Sequence, residues 1–120
     1  MSKKRILICD DEEGIRESLN LILKEDYELS FCFNGQECFE RIEKGEQFDM
    51  VLMDIKMPRA SGLDTLRKIK EKKPQQKVII ITGYRSFEMA QETISAGACD
   101  YIVKPFSSKD ILESAARNIS

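Results

Sequence analysis

The chain has 120 residues, 42% hydrophobic and 33% charged, which predicts one soluble globular domain over 1–120. A net charge of -2 argues against direct nucleic-acid binding, because phosphate backbones select basic patches. No apolar run approaches the ~18 residues of a membrane span, the apolar stretch after Met1 to Arg5 is too short for a signal peptide, and the lack of histidine excludes Ser-His-Asp or Cys-His hydrolysis and a phosphohistidine on this chain.

Lys4 to Cys9 is a near-continuous apolar run, as in strands buried on both faces of a parallel sheet, and it ends in Asp10-Asp11-Glu12-Glu13. Ile15, Leu19, Ile22 and Leu23 then mark one face of a first helix. In Glu28 to Phe33, Leu29, Phe31 and Phe33 alternate with Ser30 and Cys32, which predicts an edge strand. Asn34 caps a second helix with Cys38, Phe39 and Ile42 inside, and Gly45 stops it. Met50 to Met53 is a third strand running straight into Asp54, followed by a break at Met57-Pro58 that lasts through Ser61-Gly62. Leu63, Leu66 and Ile69 place a third helix, closed by Pro74.

Lys77 to Ile81 is a β-branched fourth strand ending in Thr82-Gly83. A fourth helix starts at a Ser86 cap, turns Met89, Ala90, Thr93 and Ile94 inward and stops at Gly97. Asp100 to Val103 is a short fifth strand ending in Lys104-Pro105. Ser107 caps a fifth helix in a weaker form of the capping box with Asp110; Ile111, Leu112, Ala115 and Ala116 face inward. Five strand-helix alternations predict an α/β doubly wound five-stranded parallel sheet, flavodoxin-like, in the order 2-1-3-4-5.

Cys9, Cys32 and Cys99 are placed in strands and Cys38 in a helix, all read as small buried hydrophobes in a reducing cytoplasm. With no C-x-x-C pair and no histidine, a structural zinc site is not expected.

In that strand order Asp10, Asp11, Asp54, Thr82 and Lys104 meet at the carboxyl rim of the sheet, where open α/β folds bind their ligands. Three carboxylates in one crevice repel, and they call for an ammonium and a divalent cation. All-oxygen donors favour Mg2+ or Mn2+ over zinc, and Mg2+ commonly bridges carboxylate to phosphoryl oxygen. A carboxylate can act as a nucleophile and form an acyl phosphate. Positioning and charge neutralisation dominate phosphoryl transfer, so Lys104 and the Thr82 hydroxyl fit as partners of phosphoryl oxygens.

Cys9-Asp10-Asp11-Glu12, Met53-Asp54-Ile55-Lys56-Met57-Pro58, Thr82-Gly83 and Lys104-Pro105 together resemble the receiver domain of two-component response regulators, the CheY-like family, over essentially the whole chain. Ile81 to Tyr84 and Gly97 to Phe106 are similar to receivers of the NtrC class. The resemblance implies that Asp54 accepts a phosphoryl group from the phosphohistidine of a sensor kinase or histidine phosphotransfer protein. It implies Mg2+ held by Asp11, Asp54 and the Lys56 backbone carbonyl, with Asp10 acting through water. Lys104 pairs with the phosphoryl group, Thr82 moves toward it, Tyr101 rotates inward, and the Lys104-Pro105 bond is cis. The face of the fourth helix, fifth strand and fifth helix then changes partner, an output domain or another protein, with a homodimer as one outcome. The domain is expected to be cytoplasmic and to catalyse nothing beyond its own phosphorylation and dephosphorylation.

Ala60 departs from the larger apolar residue often found in that loop, and Lys56 and Tyr84 occupy positions that vary in the family. Three rival functions stand beside this one. A flavodoxin-type FMN site conflicts with four acids after the first strand. A haloacid-dehalogenase-like phosphatase needs a second aspartate where Lys56 stands. A receiver-shaped binding module that is never phosphorylated is the remaining alternative.

Overall fold

The computed structural model describes residues 3–119. Five strands, β1 (Lys4–Cys9), β2 (Tyr27–Cys32), β3 (Met50–Met53), β4 (Val78–Thr82) and β5 (Asp100–Val103), alternate with helices α1 (Glu13–Leu23), α2 (Gly35–Glu43), α3 (Gly62–Lys72), α4 (Phe87–Ser95) and α5 (Ser108–Ile119). All four strand pairings are parallel, in the order β2-β1-β3-β4-β5, as expected.

The period-2 alternation of strand side chains splits the core in two. Ile6, Ile8, Met50, Leu52, Ile79 and Ile81 meet Leu19 and Leu23 of α1 and Ile111, Ala115 and Ile119 of α5. Leu7, Val51, Met53, Val78 and Ile80 point the other way, onto Cys38 and Ile42 of α2 and Leu66 and Ile69 of α3. Each fully buried Leu or Ile contributes about 1.5–3 kcal/mol, and both faces of the central strands are buried.

Helix starts follow the capping chemistry read from the sequence. Asn34 Oδ1 accepts from the Glu37 N–H at 2.8 Å, and Ser86 Oγ from the Met89 N–H at 3.2 Å. The Ser107–Asp110 box closes reciprocally, at 3.1 and 3.4 Å. Gly45 and Gly97 end α2 and α4 at φ +100° and +111°, the left-handed conformation that costs glycine nothing.

Several expectations need correcting. β2 runs one residue earlier than expected and leaves Phe33 outside, half exposed. β4 runs one residue later than expected, from Val78 to Thr82. In α4 only Thr93 is buried; Ile94, one helical step round, faces out. In α5 the inward set is Ile111, Ser114, Ala115 and Ile119, whereas Leu112 and Ala116 are exposed. Ser114 is drawn in because its hydroxyl donates to Asp100 Oδ2 at 2.5 Å, beside the Arg117 guanidinium on the same oxygen.

The cysteines differ most. Register places Cys9 directly opposite Cys32 on adjacent strands, Cα atoms 4.8 Å apart, and the two form a disulfide rather than free thiols. Cys99 is exposed, in the bend before β5. Cys38 is a buried thiol as expected, and burial pushes its pKa up to about 12.

Candidate functional site

The sheet ladder itself carries the site residues past the ends of their strands. The Asp10 N–H donates to the Cys32 carbonyl, and the Asp54 N–H to the Cys9 carbonyl, each at 3.2 Å. The Lys104 N–H donates to the Thr82 carbonyl at 2.8 Å. Asp10, Asp54 and Lys104 are thus fixed in register along the carboxyl rim, at the ends of β1, β3 and β5, with β4 and Thr82 between the last two.

Their side chains converge. Lys104 Nζ lies 2.9 Å from Asp54 Oδ2 and 3.0 Å from Asp10 Oδ2, with Glu12 Oε1 at 3.2 Å. Asp10 and Asp54 are buried; Asp11 and Glu12 are exposed. Asp10 Oδ1 accepts from the Glu12 N–H at 2.9 Å, and Asp54 Oδ1 from the Lys56 N–H at 3.3 Å. Burial raises the Asp10 pKa above 3.8; the Glu12 N–H and Lys104 pull against it, and the Asp54 charge adds to the rise. Burial alone would lower the Lys104 pKa, but its hydrogen bonds to Asp54 and Asp10 outweigh that and hold the ammonium above its ordinary value.

In front of Asp54 opens a crevice of about 380 Å³ lined by Asp11, Glu12, Lys56, Thr82, Gly83, Tyr84 and Lys104. The Thr82 hydroxyl accepts from the Tyr84 N–H at 3.4 Å, and open space lies above Gly83. The Lys56 ammonium sits over the Tyr84 ring, 4.6 Å from its centroid. Tyr101 is half-buried, and its hydroxyl donates to the Tyr84 carbonyl at 2.9 Å. The Lys104-Pro105 bond is cis.

Asp10, Asp11, Glu12 and Asp54 each offer a carboxylate oxygen within 4.8 Å of the others. Against one ammonium, that all-oxygen set is over-supplied with negative charge. It fits a hard divalent cation of the Mg2+ kind.

Sequence reasoning missed two contributors. Glu12 stands in the acidic run and in the Cys9-to-Glu12 motif with no role of its own, yet it reaches Lys104. Gly62 matters through absence: a Cβ there would lie 2.0 Å from the Asp54 carbonyl oxygen. The Ser61-Gly62 pair after Pro58 was its signal, since Ser61 caps α3 by accepting from the Asp64 N–H.

A parallel sheet in this order, with acids and a lysine gathered at its carboxyl rim, defines a receiver-type signalling domain. The family model described as the response regulator receiver domain matches residues 6–116, and the chain belongs to that family. Sporulation initiation phosphotransferase F of Bacillus subtilis is 35% identical over 118 residues, covering 98% of this chain and 94% of that protein. Chemotaxis protein CheY of Thermotoga maritima is 38% identical over 112 residues, 92% of each chain. Among solved structures, a CheY-like receiver domain protein from Methanospirillum hungatei JF-1 superposes with a TM-score of 0.91 at 39% identity, covering 98% of this chain and 94% of that one. The domain is a module of phosphorylation-dependent signalling.

Proposed function

We propose that Asp54 is the phosphoacceptor of this receiver, supplied by the phosphohistidine of a sensor kinase or histidine phosphotransfer protein. An Asp54 carboxylate oxygen attacks phosphorus, the P–N bond breaks, and the leaving imidazole nitrogen takes up a proton. The product is an acyl phosphate. Asp11, Asp54 and the Lys56 carbonyl would hold Mg2+, with Asp10 assisting through water, and the cation would supply neutralisation of phosphoryl charge. Lys104 contributes the fixed positive charge on the other side of Asp54, and the Thr82 hydroxyl turns from the Tyr84 N–H to donate to a phosphoryl oxygen. Tyr101, already bonded to the Tyr84 carbonyl, couples that movement to the α4-β5-α5 face, which exchanges an output domain or protein partner. The domain works in the cytoplasm, where the reducing thiol pool opposes the Cys9–Cys32 bond, and turns over no substrate beyond its own phosphoryl group.

The observation that supports this most is the 2.9 Å approach of Lys104 Nζ to Asp54 Oδ2 at the floor of an open crevice. Acetyl phosphate with Mg2+ is expected to add one phosphoryl mass to the parent and none to Asp54→Asn. Equal addition to both, or none to the parent, sinks the reading.

A further inference from the structure

An ammonium has three hydrogens to donate. Lys104 gives one each to Asp54 Oδ2, Asp10 Oδ2 and Glu12 Oε1, so the resting domain leaves none for an incoming phosphoryl oxygen. One partner has to yield. Asp54 is the group being modified. Asp10 is held from two sides, by Lys104 and by the Glu12 N–H, and its carboxylate is 3% exposed; turned away, it would be buried and unpaired. Glu12 is 61% exposed and its carboxylate rehydrates on release. It also stands at the N-cap of α1, where a short oxygen-bearing side chain would bond the first-turn N–H groups. Glu12 makes no such bond and reaches across to Lys104 instead.

We infer that Glu12 is a positioning residue for the same reaction: it occupies the third hydrogen of Lys104 in the resting domain and is displaced when a phosphoryl oxygen arrives. The inference rests on the phosphoacceptor reading above. Glu12 competes with the phosphoryl group for one donor, so it raises the donor concentration needed for half-saturation. The size of the competition is that of an exposed ion pair, about two- to fivefold in affinity.

Three variants separate this latch from a general field effect. Glu12→Gln removes the charge. Glu12→Asp keeps the charge and withdraws it by one methylene, beyond reach of Lys104 and into capping range of α1. Glu13→Gln removes an adjacent exposed charge that makes no bond to Lys104. With Mg2+ present, the parent and variants are titrated with beryllofluoride (BeF3−), a tetrahedral phosphoryl mimic, and phosphorylated over a range of acetyl phosphate concentrations. The Lys104 15Nζ resonance is recorded in the resting state. Glu12→Gln and Glu12→Asp are expected to bind beryllofluoride about two- to fivefold tighter, to lower half-saturation, and to shift the Lys104 resonance; Glu13→Gln changes none of these. Glu12→Asp behaving as the parent while both glutamine variants tighten would overturn the latch in favour of the field. Equal behaviour of all variants, in a parent that binds the mimic, overturns the latch alone. A parent that takes neither beryllofluoride nor phosphoryl overturns the phosphoacceptor reading and the latch with it.

Discussion

Lys104 Nζ and Asp54 Oδ2 stand 2.9 Å apart, with side chains 14% and 6% exposed. At that exposure desolvation offsets much of the pair's attraction, yet its rupture is expensive because the surviving charge is left with little water. Lys104→Met is therefore expected to cost about 3 kcal/mol of stability in chemical denaturation. The same variant should accept phosphoryl from acetyl phosphate roughly a hundredfold more slowly, the scale of losing one fixed charge donor. A variant as stable and as fast as the parent would refute both.

Asp10 supplies a pH dependence. Its folded-state pKa is raised above 3.8, chiefly by burial, so the folded chain binds this proton more tightly than the unfolded chain does. The stability this group contributes is full below about pH 3.8 and is lost as pH rises through the raised value. Asp10→Asn is expected to melt above the parent at pH 7, where the buried carboxylate must be charged. The gap should close in acid. Thermal unfolding at a series of pH values reads this directly; a gap that widens in acid has the wrong sign.

Gly62 and Gly83 make opposite cases for added bulk near the site. A Cβ on Gly62 would lie 2.0 Å from the Asp54 carbonyl oxygen and 2.7 Å from the Ile55 Cα, while one on Gly83 meets nothing within 4 Å. Gly62→Ala forces α3 away from Asp54 and is expected to destabilise by about 2–3 kcal/mol. Gly83→Ala should fall within about 0.5 kcal/mol of the parent. Denaturant midpoints of the two variants give the comparison.

Tyr84 and Lys56, stacked at 4.6 Å, line the approach to Asp54. Tyr84→Ala opens that approach to water and is expected to shorten the lifetime of the acyl phosphate several-fold. The decay is followed after removal of the phosphodonor; an unchanged rate rejects the shielding role.

The strands that read most clearly were β1, β3 and β5, whose bounds match because an apolar run stops at a hard boundary: a following charge after β1 and β3, and Lys104-Pro105 after β5. β2 slipped by one because alternation counts Phe33 inward while the ladder stops at Cys32. In α4 and α5 the helical period was right and its phase was not: Ile94, Leu112 and Ala116 sit one step beyond the buried stripe. The Ser114 hydroxyl was paired by an aspartate on another element, which no local pattern reports. The same limit hid the Cys9–Cys32 bond, which depends on strand register, and the reach of Glu12 to Lys104. The acids, the hydroxyl and the lysine of the rim were legible because each falls at the end of an apolar strand, where topology alone decides its place.

The Lys104 contact with Asp10 spans 94 positions of sequence. A chain still emerging from the ribosome carries every acid of the rim long before it carries the lysine that tames them. Until Lys104 is released and β5 docks beside β4, those carboxylates repel one another with no fixed cation to oppose them. The rim is therefore complete only once the fifth strand has joined the sheet, and a chain cut short of β5 keeps its acids without the ammonium that opposes them.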